Sequence, residues 1–187
     1  MVKKNACIFI SGKGTNLKNL ILKSREYNFP INIKLVVTNK KDADGVIYAR
    51  KNSIPLLFVN TKFSSYENTI LNTLKRYNIH IICLAGYMKI LSDNFLKKFG
   101  KKIINIHPSL LPKFKGLNTF SRVLKNKERK TGCTVHFVTK NLDSGKIITQ
   151  KSFFVNSRDN ALTLKFKTQK LEYLAFPQAI IKIFRNY

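Results

Sequence analysis

Acidic side chains are scarce in this chain: 9 Asp or Glu stand against 35 Lys or Arg in 187 residues, a formal net charge of +26. Cysteine is nearly absent too. Cys7, Cys83 and Cys133 are odd in number, far apart and flanked by apolar or β-forming residues, which excludes a disulfide framework and a zinc site. They read as small buried hydrophobes. No apolar run approaches the roughly 20 residues that cross a bilayer. Ala6 to Ile10 is cut by Ser11-Gly12 before it reaches the ~7 to 15 residues of a signal-peptide core. The expected location is therefore the cytoplasm. No internal repeat, linker or low-complexity segment interrupts the pattern. With 44% hydrophobic residues, disorder is excluded and one domain over residues 1–187 is expected.

A charge this positive raises nucleic-acid binding, because lysine contacts to phosphates release counterions. The distribution argues against it. The cations are mostly Lys, spread along the chain, and no helix-turn-helix, zinc finger or RNA-binding signature accompanies them. A field of this sign still draws in small anionic substrates.

Short β-rich apolar runs alternate with helical stretches. Strands are predicted over Ala6 to Ile10, Ile31 to Val37, Pro55 to Val59 and Ile79 to Ala85, and helices over Asn16 to Ser24, Ala43 to Lys51 and Tyr66 to Tyr77. That alternation specifies βαβ units: a Rossmann-like α/β fold whose sheet is mostly parallel, with helices on both faces. A helix over Ser92 to Phe99, a strand over Ile103 to Ile106 and a helix over Phe120 to Asn126 follow. The tail changes character, with strands over Thr134 to Val138 and Ile147 to Val155 that make the sheet mixed. Last comes a helical stripe of Leu162, Phe166, Leu171, Leu174, Ile180, Ile181 and Phe184, which Pro177 is expected to kink or divide.

Three constellations carry chemistry. Ser11-Gly12-Lys13-Gly14-Thr15-Asn16-Leu17 is a glycine-rich turn entering a helix, where backbone N–H groups and the helix N-terminus suit a phosphate. It matches neither G-x-G-x-x-G nor a Walker A loop, and a plain strand-to-helix turn capped by Thr15 or Asn16 is the competing reading. Asn105-Ile106-His107-Pro108-Ser109-Leu110-Leu111-Pro112 follows an apolar strand, so Asn105 and His107 emerge where open α/β sheets gather ligands. Two apart on extended backbone, they can face one side. An amide beside an imidazole suits a developing oxyanion and a moving proton. His80 reads as a strand-end residue, and His136 as a half-buried structural group or a contact behind the reacting ones. Asp143, in a turn between two late strands, could orient His107 or raise its proton affinity; an Asp-Ser-Gly turn is otherwise only a turn.

Taken together with Thr38-Asn39-Lys40, Asp42-Ala43-Asp44-Gly45, the run Leu84 to Leu91, Gly132 to Val138 and Leu142-Asp143-Ser144-Gly145, the chain resembles the glycinamide ribonucleotide formyltransferases, folate-dependent enzymes of purine synthesis. The loop at 11 to 17 leading the chain, with no regulatory domain before it and no room for a C-terminal tRNA-binding domain, favours that member of the wider formyltransfer group. The resemblance implies transfer of a formyl group from 10-formyltetrahydrofolate, as co-substrate, to the amine of 5-phosphoribosylglycinamide, without a metal. It implies that Gly14, Thr15 and Asn16 bind the substrate phosphate, with Gly12 and Lys13 shaping the loop, and that Glu172 also contacts this substrate. Met88, Lys89, Ile90 and Leu91 would border the folate, Asn105 would contact the formyl donor, His107 would donate the proton, and Asp143 would tune it and order a water.

The chain departs from the family pattern at Lys89, where Arg is usual, at Asn118 and Phe120, where His is usual, and at Lys146, where Pro is usual. Phe63-Ser64-Ser65 lacks an Arg found in some members, and Lys62 is read as its substitute. Two alternatives stay open: a hydrolase of the same formyl donor, and a basic nucleic-acid-binding relative that has lost catalysis. The partners expected are the two small molecules, with no membrane and no nucleic acid.

Overall fold

The computed structural model describes residues 2–185, which divide into two compact units, Met1–Ile104 and Asn105–Tyr187. The first unit carries β1 (Lys4–Ile10), α1 (Thr15–Ser24), β2 (Ile31–Thr38), α2 (Val46–Lys51), β3 (Leu56–Phe58), α3 (Tyr66–Arg76), β4 (Ile81–Leu84) and α4 (Asp93–Phe99). Its strands run in the order β3-β2-β1-β4, all parallel. Ala6, Cys7, Ile8, Phe9 and Ile10 are completely buried, as expected of a strand covered on both faces, and this explains why β1 reads as a continuous apolar run instead of an alternation. Helix α1 turns Leu17, Leu20 and Ile21 inward at helical spacing.

β5 (Lys102–His107) ends in the second unit, followed by α5 (Thr119–Lys125), β6 (Lys130–Phe137), β7 (Ile147–Phe154) and α6 (Ala161–Arg185), with strand order β5-β6-β7. β6 and β7 are antiparallel, so the sheet turns mixed where the sequence predicts. β6 starts earlier than the predicted Thr134 because Gly132 does not end it. A Cβ there would sit 1.9 Å from the Lys151 carbonyl oxygen, so glycine is what allows the two strands to meet.

The last helix departs from two expectations. α6 runs as one helix through Pro177 and is not divided there. Of the predicted stripe Ile180 is buried, but Leu162, Phe166 and Leu174 are exposed, and the inward positions are Leu164, Thr168, Ala175, Phe176, Ala179, Ile180 and Ile183. The physical reason is close approach. α6 packs on β6 and β7 through a face that mixes Thr168, Ala175 and Ala179 with Leu164, Phe176, Ile180 and Ile183, and hydrophobicity alone passes over the small members of that face in favour of larger side chains beside it. Among the described residues no helix is long and apolar enough to cross a membrane.

Gly132→Ala should therefore force β6 and β7 apart and cost about 1 to 3 kcal/mol of stability. Urea denaturation checks this, and a wild-type midpoint would show that the close approach is not required.

Candidate active site

In the first unit the ends of three strands are tied together by one hydroxyl. Ser11, following β1, donates through Oγ to Asn39 Oδ1 beyond β2 (2.6 Å) and accepts the Met88 N–H beyond β4 (2.8 Å). The glycine-rich turn lies against a second loop. Gly14 adopts φ +66°, and a Cβ on it would meet the Gly45 Cα at 2.5 Å; the Gly45 N–H donates to the Gly12 carbonyl at 3.0 Å. Gly14 is thus doubly constrained, by left-handed backbone and by contact. Gly12 has nothing within 4 Å of where a Cβ would be. The helix cap is Gly14, not Thr15 or Asn16, so no cap side chain takes up the first-turn N–H groups of α1. Gly12 and Lys13 are exposed, Thr15 is half-buried and Asn16 buried. Of the predicted folate border, Met88, Lys89 and Ile90 are exposed while Leu91 is buried.

In the second unit β5 delivers Asn105 and His107 to one place, as their spacing predicts, and the β6–β7 loop brings Asp143 to them. His107 Nδ1 is 3.3 Å from Asp143 Oδ2, and both side chains are 7% exposed. His136, from β6, completes the group: its Nε2 is 3.2 Å from Asn105 Nδ2 and 3.5 Å from Asp143 Oδ1. Backbone groups close the ring. The Phe114 carbonyl lies 2.9 Å from His107 Nε2, the Phe137 carbonyl 2.9 Å from His136 Nδ1, and the Gly116 N–H donates to Asp143 Oδ2 at 2.9 Å.

Carbonyl oxygens only accept, so His107 carries a proton on Nε2 and His136 on Nδ1. The remaining nitrogens face the interior of the cluster. His136 Nε2 accepts from the Asn105 amide when bare and presents a proton to Asp143 when charged. His107 Nδ1 faces the carboxylate. Burial pushes the His107 pKa below its ordinary value, against the opposing pull of the Phe114 carbonyl and Asp143. Burial alone would raise Asp143, but His136, the Gly116 N–H and His107 together hold it below the usual carboxylate range. The site therefore pairs an anion with an imidazole that exchanges its extra proton readily.

The loop between β5 and α5 is anchored from the strands. Thr134 Oγ1 donates to the Ser109 carbonyl (2.7 Å) and accepts the Leu111 N–H (3.0 Å), and Gln150 Nε2 donates to the Leu111 carbonyl (2.9 Å). Glu172 lies on α6, where its charge, after burial, helps push the Cys133 thiol up to about 12. At the departures from the family pattern, Asn118 caps α5 in left-handed backbone, Phe120 lies in its first turn, and Lys146 contributes through its carbonyl, which accepts the Phe137 N–H at 3.0 Å. No group of three or more His, Cys, Asp or Glu among the described residues is placed to hold a metal ion.

Sequence reasoning left the role of His136 open and missed the Phe114 and Gly116 backbone contacts. The period-two placement of Thr134 and His136 on β6 was a usable signal for the first. Backbone groups leave no residue signature.

A family model described as formyl transferase matches residues 4–180. The chain is 38% identical over 181 residues to a phosphoribosylglycinamide formyltransferase of Haemophilus influenzae, covering 95% of this chain and 85% of that one. It is 40% identical over 182 residues to the trifunctional purine biosynthetic protein adenosine-3 of Gallus gallus, and spans 18% of that longer relative's length. Among solved structures, a phosphoribosylglycinamide formyltransferase from Brucella melitensis superposes with a TM-score of 0.91 at 38% identity, covering 97% of this chain and 95% of that one. Glycinamide ribonucleotide transformylase 1 from Symbiobacterium toebii gives a TM-score of 0.91 at 34% identity, with 95% and 86% covered.

Asp143→Asn removes the negative charge beside His107 while leaving an oxygen for the Gly116 N–H. The imidazolium loses its partner, so His107 should titrate at still lower pH, a direction that NMR of the imidazole resonances checks.

Proposed function

The chain belongs to the formyl transferase family, and from that premise we propose that it transfers the formyl group of 10-formyltetrahydrofolate to the amine of 5-phosphoribosylglycinamide, a step of purine nucleotide biosynthesis. The observation that carries this reading is the convergence of Asn105 and His107, two apart on one strand, with Asp143, remote in sequence, into one cluster.

In this reading the amine attacks the formyl carbon, forming a C–N bond and a tetrahedral oxyanion. Asn105 donates an amide N–H to that oxygen. His107, its Nε2 proton committed to Phe114, acts through Nδ1, the nitrogen that faces Asp143. Asp143 keeps the imidazolium available and holds the water that carries the proton from the attacking nitrogen to N10 of the folate as the C–N10 bond breaks. Oriented donors of this kind lower the barrier because they are in place before the charge develops.

Each remaining site residue has a stated task. Gly12, Lys13, Gly14, Thr15 and Asn16 receive the substrate phosphate through N–H groups and the Lys13 charge, and Glu172 accepts from substrate hydroxyls. Met88, Ile90 and Leu91 offer apolar surface to the folate, and Lys89 a cation for its carboxylates. Lys89 presents a point charge without the bidentate fork of an Arg, which weakens affinity for the tail without abolishing attraction.

The deciding experiment is a formyl-transfer assay with both substrates, read by release of tetrahydrofolate and by the identity of the formylated product. Formate in place of formylated ribonucleotide would identify a hydrolase and overturn the proposal. Asn105→Ala and His107→Ala should each lower turnover by about 10² to 10³ while the protein stays folded. Gly12→Ala tests the phosphate loop separately. The site has room for the methyl group, so stability should not change, whereas KM for the ribonucleotide should rise because that room is where its phosphate sits.

A further inference from the structure

A backbone strap crosses the His107–Asp143 pair, presenting a carbonyl to the imidazole at Phe114 and an N–H to the carboxylate at Gly116. Its conformation is costly. Phe114 sits at φ +57° and Asn118 at φ +56°, with Gly116 at φ +77° between them. A bulky side chain in the left-handed region persists only where its surroundings hold it there. Several contacts do so at the ends: Ser109 Oγ donates to the Lys113 carbonyl (2.7 Å), Lys113 pairs with Glu128 (2.9 Å), and Lys115 Nζ donates to Ser144 Oγ (2.5 Å). In the middle, where the Gly116 N–H already donates to Asp143, a side chain from outside the reacting pair adds a grip. Arg122, on α5, donates through Nη1 to the carbonyl of Lys115 (2.6 Å) and more weakly to that of Leu117 (3.4 Å). Its guanidinium carbon also lies 5.4 Å from the centre of the Phe114 ring.

We infer that Arg122 is a positioning residue for His107: by clamping residues 114–117 it holds the Phe114 carbonyl on Nε2 and so keeps Nδ1 as the nitrogen that serves the reacting atoms. Nothing else in the cluster ties down Nε2. If the strap loosens, the imidazole gains a second neutral tautomer, with the proton on Nδ1 instead of Nε2. The clamp needs a group that can lie over the Phe114 ring and donate to two carbonyls at once. An ammonium supplies the charge and one of the hydrogen bonds but not the forked donor.

This inference rests on the catalytic reading of His107, yet its test has an arm that does not depend on formyl transfer. The groups that bear on the His107 charge are Asp143 from the β6–β7 loop, His136 from β6, Arg122 from α5 and the Phe114 carbonyl. The Phe114 bond raises the His107 pKa and the Arg122 charge lowers it, the bond being the larger of the two. A variant that keeps the charge therefore separates the two roles of Arg122: a lost clamp shifts the His107 titration downward, and a charge alone leaves it in place. In Arg122→Lys the charge stays and the clamp is lost, so His107 should titrate at lower pH than in the wild type by imidazole NMR. Turnover should fall by roughly 10-fold to 100-fold, with KM for both substrates nearly unchanged. A wild-type titration and turnover in folded Arg122→Lys would overturn the inference and mark Arg122 as a charge alone, and an upward shift would overturn it too. If Arg122→Lys proves unfolded at the assay temperature, Phe114→Leu keeps the backbone and the Arg122 charge but removes the ring; it must move the titration in the same direction, and no movement would overturn the inference. A shifted titration in a protein that shows no formyl transfer would preserve the clamp and overturn the reading of function instead.

Discussion

A carboxylate that is 7% exposed has to be surrounded by donors, and the second unit is organised around that requirement at Asp143. Burying an unpaired charge costs several kcal/mol, so the fold supplies partners from three directions: His107 from β5, His136 from β6 and the Gly116 N–H from the loop before α5. Each partner has a second tether, to the Phe114 or Phe137 carbonyl or within the anchored loop. The arrangement satisfies a buried charge, and the same arrangement holds an imidazole with one nitrogen committed and one facing the carboxylate. Stability and chemistry thus place the same demand on the same atoms.

The first unit meets a different constraint, the contact between two chain turns. Gly14 and Gly45 approach so closely that neither position tolerates a Cβ, and Ser11 links the segments after β1, β2 and β4 through a single hydroxyl. Backbone that is this tightly defined leaves N–H groups at the start of α1 with little freedom to reorganise, which is what an anion site requires. Gly12, exposed and with open space beside it, differs from its neighbour. One glycine of the pair serves the fold, and the other is free to serve a ligand.

Much of this was legible in the sequence, and the limits of legibility have physical causes. The alternation of apolar strands with amphipathic helices specifies the parallel sheet because each element announces its own period, and the strands come within a residue or two of the predicted bounds until β6. There, Gly132 reads as an interruption when it is in fact the residue that admits the neighbouring strand. The buried face of α6 is misread for a related reason: close packing selects Ala175, Ala179 and Thr168, while hydropathy points to Leu162 and Phe166. In the site, Asn105, His107 and Asp143 are readable because their side chains are chemically distinctive. The strap from Phe114 to Leu117 is not, because it acts through peptide groups that every residue carries.

The imbalance of charge sharpens the same point. With 9 acidic residues in the whole chain, each carboxylate that is present is informative. Specific partners among the described residues include Lys23 for Glu26, Ser92 for Glu67, Lys97 for Asp93, Lys113 for Glu128, the two histidines for Asp143 and Lys167 for Asp159. Glu67 joins α3 to the cap of α4, and Asp159 precedes α6 and accepts from Thr163 as well as Lys167. These are positions where a carboxylate meets a geometric need that a lysine cannot meet. Exposed lysines, by contrast, are interchangeable at most surface positions, and their accumulation changes the field around the protein more than its structure. That field favours approach of small anions. Several of the few anions that remain hold the chain together, and one of them, Asp143, does so while facing Nδ1 of His107.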